Sequence, residues 1–149
     1  MHIEIKKLGS RDIDLFQSLI SVFEDVFEMK SFIMPSKEYL QQLLQKDSFF
    51  VFVALLEGKV VGGLTAYLLQ QYYSQSTLVY IYDLAVKSEL QRKGIGKMLI
   101  SGITNHCKEK GIAEVFVQAD EADDYALDFY RSTGGIAQKV VHFVYPLNR

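Results

Sequence analysis

Between the apolar run that ends Leu84-Ala85-Val86 and a stretch with helical spacing lies Gln91-Arg92-Lys93-Gly94-Ile95-Gly96, followed at once by Lys97. A pyrophosphate is best held where several N–H donors converge and no side chain intrudes. A helix start provides such donors, together with the positive end of the helix dipole. Gly94 and Gly96 would give the clearance, and Arg92, Lys93 and Lys97 would add cationic neighbours. Taken alone, a Gly-x-Gly ahead of a helix fits an ordinary solvated basic turn equally well. The dinucleotide pattern Gly-x-Gly-x-x-Gly is incomplete, because Lys97, Met98 and Leu99 follow Gly96.

A second set of residues suits an amine reactant. Asp83 interrupts the otherwise apolar Tyr80-Ile81-Tyr82-Asp83-Leu84-Ala85-Val86. A carboxylate there can take a proton from a bound ammonium, directly or through water, with Asp120 and Glu121 as substitutes for that role. Strict strand alternation places Asp83 on the face of Ile81 and Ala85, where the competing reading is a hydrogen-bonded structural carboxylate. Glu24, Asp25 and Glu28 form one acidic group, and Asp120, Glu121, Asp123 and Asp124 another; both would attract cations. Asp123 and Asp124 equally suit a helix start, where carboxylates cap N–H groups whatever the substrate.

Cys107 is the single cysteine, which excludes an internal disulfide framework and a thiolate metal cage. It falls inside a helical stretch without a recognisable triad, so packing is its expected role and a covalent acyl-enzyme is not expected. His106 suits the dipole at a helix end, His2 is terminal, and His142 is a candidate for lining a cleft. No metal-ligand spacing is visible.

The elements that must position these residues are legible from periodicity. Ile3 and Ile5 alternate with Glu4 and Lys6 as a strand. Ile13, Phe16, Ile20, Phe23 and Phe27 then recur at helical spacing, and a shorter helix with Ser36 at its cap carries Tyr39, Leu40, Leu43 and Leu44. Phe49 to Leu56 and Lys59 to Tyr73 read as strands joined by a tight hairpin at Glu57-Gly58. Thr77 to Val86 reads as a central strand, Ile95 to Lys110 as a helix ended by Gly111, and Ala113 to Ala119 as a strand. Asp123 to Thr133 is helical, Gly134-Gly135 stops it, and Ile136 to Tyr145 alternates as a final strand. The order β-α-α-β-β-β-α-β-α-β implies an α/β (α+β) mixed sheet flanked by four helices.

With 149 residues, the whole chain, 1–149, is expected to form one domain. Hydrophobic residues make up 49% and charged residues 23%, as in ordinary globular chains. The net charge of -2 and the lack of a basic stripe make nucleic acid a poor partner. No membrane-length apolar run or secretion signal is present, so a cytoplasmic location is expected. A homodimer is allowed but not specified.

The motif Gln91-x-x-Gly94-x-Gly96, set between strand and helix, resembles the GNAT superfamily of acetyl-CoA-dependent N-acetyltransferases. The resemblance implies the GNAT fold and acetyl-CoA as acetyl donor. It places the pyrophosphate on Gln91 to Lys97 and the pantetheine arm against the main chain of Leu84, Ala85 and Val86. Downstream, Asp123, Ala126, Tyr130 and Gly134 are similar to the family's Asn-x-x-Ala-x-x-x-Tyr ahead of a glycine, with Asp in place of Asn. By that likeness Ala126 and Tyr130 adjoin the coenzyme, and Tyr130 protonates the leaving thiolate. A phenol, with a reference pKa of ~10, is a ready donor at neutral pH, although an aromatic core residue is the competing reading of the spacing.

The segments Tyr80 to Val86, Val117-Gln118-Ala119-Asp120, Asp123-Asp124-x-Ala126 and Val141-His142-Phe143 more closely resemble the aminoglycoside 3-N-acetyltransferases. The implied acceptor is the 3-amino group of an aminoglycoside, acetylated by direct attack in a ternary complex, with the two acidic groups as counter-ions. A polyamine or another small amine is the alternative acceptor, and a noncatalytic acyl-CoA-binding module the alternative of a different class.

Overall fold

Phe49–Leu56 is apolar without interruption because this strand is covered on both faces, and the fold grows from that fact. The computed structural model describes residues 1–148. Its elements run β1 (Ile3–Lys7), α1 (Ile13–Val26), α2 (Lys37–Leu44), β2 (Phe49–Leu56), β3 (Lys59–Gln70) and β4 (Thr77–Val86). A short 3-10 turn at Ser88–Leu90 leads to α3 (Ile95–Glu109), β5 (Glu114–Val117) and α4 (Asp124–Ser132). Two compact units result, one spanning Met1–Gln118 and one beginning at Ala119. Among the described residues, no helix is long and apolar enough to cross a membrane.

In the first unit the strands lie in the order β1-β2-β3-β4-β5, antiparallel except for the parallel β4–β5 pair. The middle strand is therefore β3, and β4 lies one place from the edge rather than at the centre. Glu57 and Gly58 both take positive φ, the geometry of a two-residue hairpin whose twist matches its strands. One face packs Phe16, Leu19, Val22, Phe23 and Leu40 of α1 and α2 on Val51, Val53 and Ala85. The other packs Ile95, Leu99, Ile103 and Cys107 of α3 on Phe52, Leu64, Val79 and Ile81.

Gly63 marks where α1 presses closest. A Cβ there would lie 2.6 Å from Leu19 Cδ1 and 2.6 Å from the Phe52 carbonyl oxygen, one flexible neighbour and one rigid. Gly63→Ala is expected to cost roughly 1–3 kcal/mol in a urea unfolding curve by overpacking. An unchanged midpoint would show that α1 can shift outward freely.

In the second unit, α4 is followed by Gly134 at φ +97°. Within this unit residues 136–148 form no strand, so the strand expected over Ile136 to Tyr145 finds no partner inside it, and Ile136, Val140, Val141, Phe143 and Tyr145 are exposed. Alternation marks a segment able to be a strand, but a strand exists only through bonds to a neighbour, which the pattern does not name.

Candidate active site

The decisive local feature is a bulge in β4. Thr65 pairs with Asp83 and Ala66 with Ile81, so Tyr82 has no partner on β3. The extra residue reverses the alternation beyond it. Ile81 consequently lies in the core beneath α3, while Ala85 lies in the core beneath α1 and α2. Asp83 follows Ala85, so the expectation that it shares a face with Ile81 is corrected. Tyr80, Tyr82 and Asp83 all point to the α1 side.

Asp83 is half-buried, and burial raises its carboxyl pKa above the ordinary value by stripping water from the charged form. It has no hydrogen-bond or ion-pair partner among the described residues. The structural reading required such a partner. Aromatic rings surround it instead. Tyr82 meets Tyr67 at 5.8 Å and Tyr80 at 6.0 Å, both nearly edge-on, and Tyr80 stacks on Phe116 at 4.9 Å. The Tyr80 hydroxyl donates to Gln118 Oε1 over 3.0 Å. Tyr67 is raised above its ordinary value first by burial and then by Tyr82, Tyr39 and Asp83, which places these groups around one spot. The wall therefore consists of aromatic rings carrying hydroxyl groups.

The same bulge opens a main-chain edge. Pairing of β4 with β5 stops at Ile81 and Val117, whereas β4 continues to Val86. On the side away from β3, the peptide groups after Ile81 are outside any described ladder and can bind an extended amide chain. Leu84 is half-buried, Ala85 and Val86 are buried, and what they can offer a ligand is backbone.

Past this edge, Gln91 donates its side-chain amide to the Val86 carbonyl over 3.1 Å. Its side chain thus braces the loop against β4. Arg92 at φ 63° and Gly94 at φ +87° turn the chain into α3. No side chain caps the helix start and no acidic residue lies in its first turn, so the first N–H groups face outward as anion donors. A Cβ on Gly94 would meet nothing within 4 Å; the demand for glycine there comes from the left-handed backbone, and the space beyond it is open. The side chain of Ile95 is core, which leaves its N–H as the group available to a ligand. Arg92, Lys93 and Lys97 are exposed beside this start, and Gly96 lies in its first turn. An uncapped helix start, exposed cations and an open strand edge fit a pyrophosphate carrying an amide-containing arm.

Glu24, Asp25 and Glu28 are brought together and line a surface depression with Ser21 and Met29. In the second unit, Asp123 caps α4 by accepting from the Ala126 N–H at 3.1 Å, and Asp120 accepts from the Ala122 N–H at 2.9 Å. The capping role weighed for Asp123 is thus realised, while Glu121 and Asp124 are exposed without such bonds. Ala126 and Tyr130 are one turn apart on α4. The Tyr130 ring lies 5.0 Å from that of Phe129.

Cys107 is buried and its thiol is raised in pKa by burial, which keeps it a protonated packing group. His106 packs against Phe50 and Phe52; burial first, then Lys7 and Lys110, lower its pKa. The imidazolium expected at this helix end is disfavoured, so His106 is an aromatic packing residue. His142 is exposed on the segment after α4.

Sequence reasoning missed the phenolic wall of Tyr39, Tyr67, Tyr80 and Tyr82. Tyr80 and Tyr82, two apart, carried a signal of one aromatic face; Tyr67 and Tyr39 join them only through register and helix docking.

The acetyltransferase (GNAT) family profile matches residues 14–134. Among solved structures, the aminoglycoside acetyltransferase meta-AAC0020 from an uncultured soil metagenomic sample matches at TM-score 0.96 and 56% identity. The match covers 98% of this chain and 97% of that one, which has been solved with trehalose and with sisomicin. HMB0005, an aminoglycoside acetyltransferase likewise from an uncultured soil metagenomic sample, matches at TM-score 0.93 and 33% identity, over 99% and 100% of the two chains. The aminoglycoside N-acetyltransferase AAC(6')-Iy in complex with CoA shares the fold at TM-score 0.79 and 16% identity, over 98% and 95%. No curated protein sequence matches the chain.

Proposed function

Given that the chain belongs to the GNAT acetyltransferase family and is an acetyl-CoA-dependent N-acetyltransferase, we propose that its acceptor is an aminoglycoside, acetylated on the 3-amino group by direct attack in a ternary complex. The observation that carries the mechanism is the β4 bulge, which sets Asp83 beside tyrosines and next to the open edge of Leu84 to Val86. The high identity to metagenomic aminoglycoside acetyltransferases, one of them solved with sisomicin, supports the acceptor class.

Acetyl-CoA supplies the acetyl group as a thioester. The main chain of Leu84, Ala85 and Val86 aligns its amide arm, the N–H groups from Gly94 to Lys97 hold its pyrophosphate, and Arg92 and Lys93 neutralise charge. Ala126 and Tyr130 contact it from α4. Asp83 takes the proton from the acceptor ammonium, so that nitrogen bonds the acetyl carbon as the carbon–sulfur bond breaks. Tyr130 gives its phenolic proton to the departing sulfur, and solvent returns the proton balance. Glu121 and Asp124, then Asp120 and Asp123 through their remaining lone pairs, and Glu24, Asp25 and Glu28, act as counter-ions to the substrate's other ammonium groups.

An amine panel with acetyl-CoA, read by thiol release, tests this. Sisomicin should turn over, with the acetyl group on the 3-nitrogen by NMR of the product. Turnover of spermidine with no aminoglycoside accepted would overturn the reading. Gly94→Val should cost about 1–2 kcal/mol by straining the left-handed residue, and should weaken acetyl-CoA binding about tenfold or more. An unaltered dissociation constant by calorimetry would remove this loop from the coenzyme site.

A further inference from the structure

Among the described residues one buried side chain is polar: Thr65, in the middle strand β3, 8% exposed. Its neighbours Leu64 and Ala66 lie in the core beneath α3, so Thr65 points to the α1 side. There Val51 faces it from β2 and Asp83 from β4. Leu19 of α1 closes over Gly63, two positions back, and Tyr67 stands two positions on. The setting is apolar, and the carboxylate of Asp83 is the polar group directly across the ladder.

The Thr65 hydroxyl has no hydrogen-bond partner among the described residues. No described side-chain oxygen is both sealed from solvent and unpaired. The hydroxyl therefore belongs to the small part of Thr65 that water reaches, an opening too narrow for an ammonium carried on a ring. Asp83 has the complementary lack, a half-buried carboxylate without a partner. Residues directly opposite in an antiparallel pair hold their Cβ atoms roughly 4.5–5.5 Å apart. One water can bridge two polar side chains across that span.

We propose that Thr65 is the positioning residue of the base: its hydroxyl and the Asp83 carboxylate hold one water between them, through which the acceptor's proton reaches Asp83. The inference rests on Asp83 being that base. The water takes a proton from the acceptor ammonium and passes one of its own to a carboxylate oxygen, so water is regenerated and Asp83 ends protonated. The nitrogen keeps the electron pair that attacks the thioester carbon. Thr65 neither gains nor loses a proton; its oxygen accepts the water's other hydrogen and so fixes which one points to Asp83.

The titratable groups around Asp83 are Tyr67 from β3, Tyr39 from α2, and Tyr80 and Tyr82 from β4. To this side α1 brings Phe16, Leu19, Val22 and Phe23, and β5 brings Phe116. None of these is a cation, so a hydrogen bond from the held water is what favours the charged carboxylate, and its loss disfavours that form.

Thr65→Val keeps the branched shape and removes the hydroxyl. Measured on the best acceptor of the amine panel, kcat/KM should fall about tenfold or more, and its acid limb should move to higher pH. KM for acetyl-CoA should hold, and Tm should not fall, because an unpartnered hydroxyl has left an apolar site. Thr65→Ser should restore the limb and most of the rate. A wild-type acid limb in Thr65→Val, or a Thr65→Ser enzyme as impaired as Thr65→Val, would overturn the proposal even where Asp83→Asn abolishes the limb. A limb that survives Asp83→Asn removes the base itself, and the role of Thr65 with it.

Discussion

Asparagine in place of Asp83 is expected to lower kcat/KM for acetyl transfer by roughly 10²- to 10⁴-fold, the contribution of a positioned base, while leaving acetyl-CoA binding nearly intact. The pH profile carries the sharper signature. Because burial holds the Asp83 pKa above the ordinary carboxylate range, the acid limb of kcat/KM should lie above that range in the wild-type enzyme and vanish in D83N. A limb that survives would assign the base to Asp120 or Glu121.

Stability should move the other way. With the folded pKa above the unfolded one, the folded chain binds more protons between the two values, so stability falls as pH rises through that window. The contribution of Asp83 is full below the unfolded carboxylate range and is lost above its folded value. D83N removes this loss: near neutral pH its Tm should equal or exceed that of the wild type, and the difference should shrink in acid. Lower activity without lower Tm separates a reactive carboxylate from a structural one.

Tyr130→Phe is the second large effect. The change deletes one hydroxyl and retains the ring beside Phe129, so α4 should keep its fold. Loss of the acid should depress kcat by about 10²-fold or more. The dissociation constant for acetyl-CoA, measured by calorimetry, should change little. Unaltered turnover would strip Tyr130 of this role and leave it as a wall of the coenzyme site.

The loop proposed to hold the coenzyme was readable as a turn into a helix because each of its structural requirements is local. A left-handed Gly94, an uncapped helix start and the cations Arg92, Lys93 and Lys97 lie within a few positions of one another. The role of Gln91 was less legible: its side chain braces Val86, a contact that depends on how the loop folds back on β4. Glu24, Asp25 and Glu28 met as expected, since they lie within five consecutive positions at and just past the end of α1. His106 was misjudged because the dipole of α3 is a local property, whereas the burial against Phe50 and Phe52 that lowers its pKa comes from a distant strand.

By itself, then, the sequence determined which segments become the four α-helices and five strands, where the glycine turn into α3 lies, and which family the chain belongs to. Hydrophobic period, capping and glycine conformation act between near neighbours, and near neighbours are what a sequence displays. Tertiary structure decided the face of Asp83 and which phenols surround it. Each of these depends on pairing between segments far apart in the chain. A single unpaired Tyr82, between the Asp83 that pairs with Thr65 and the Ile81 that pairs with Ala66, reversed the parity of β4.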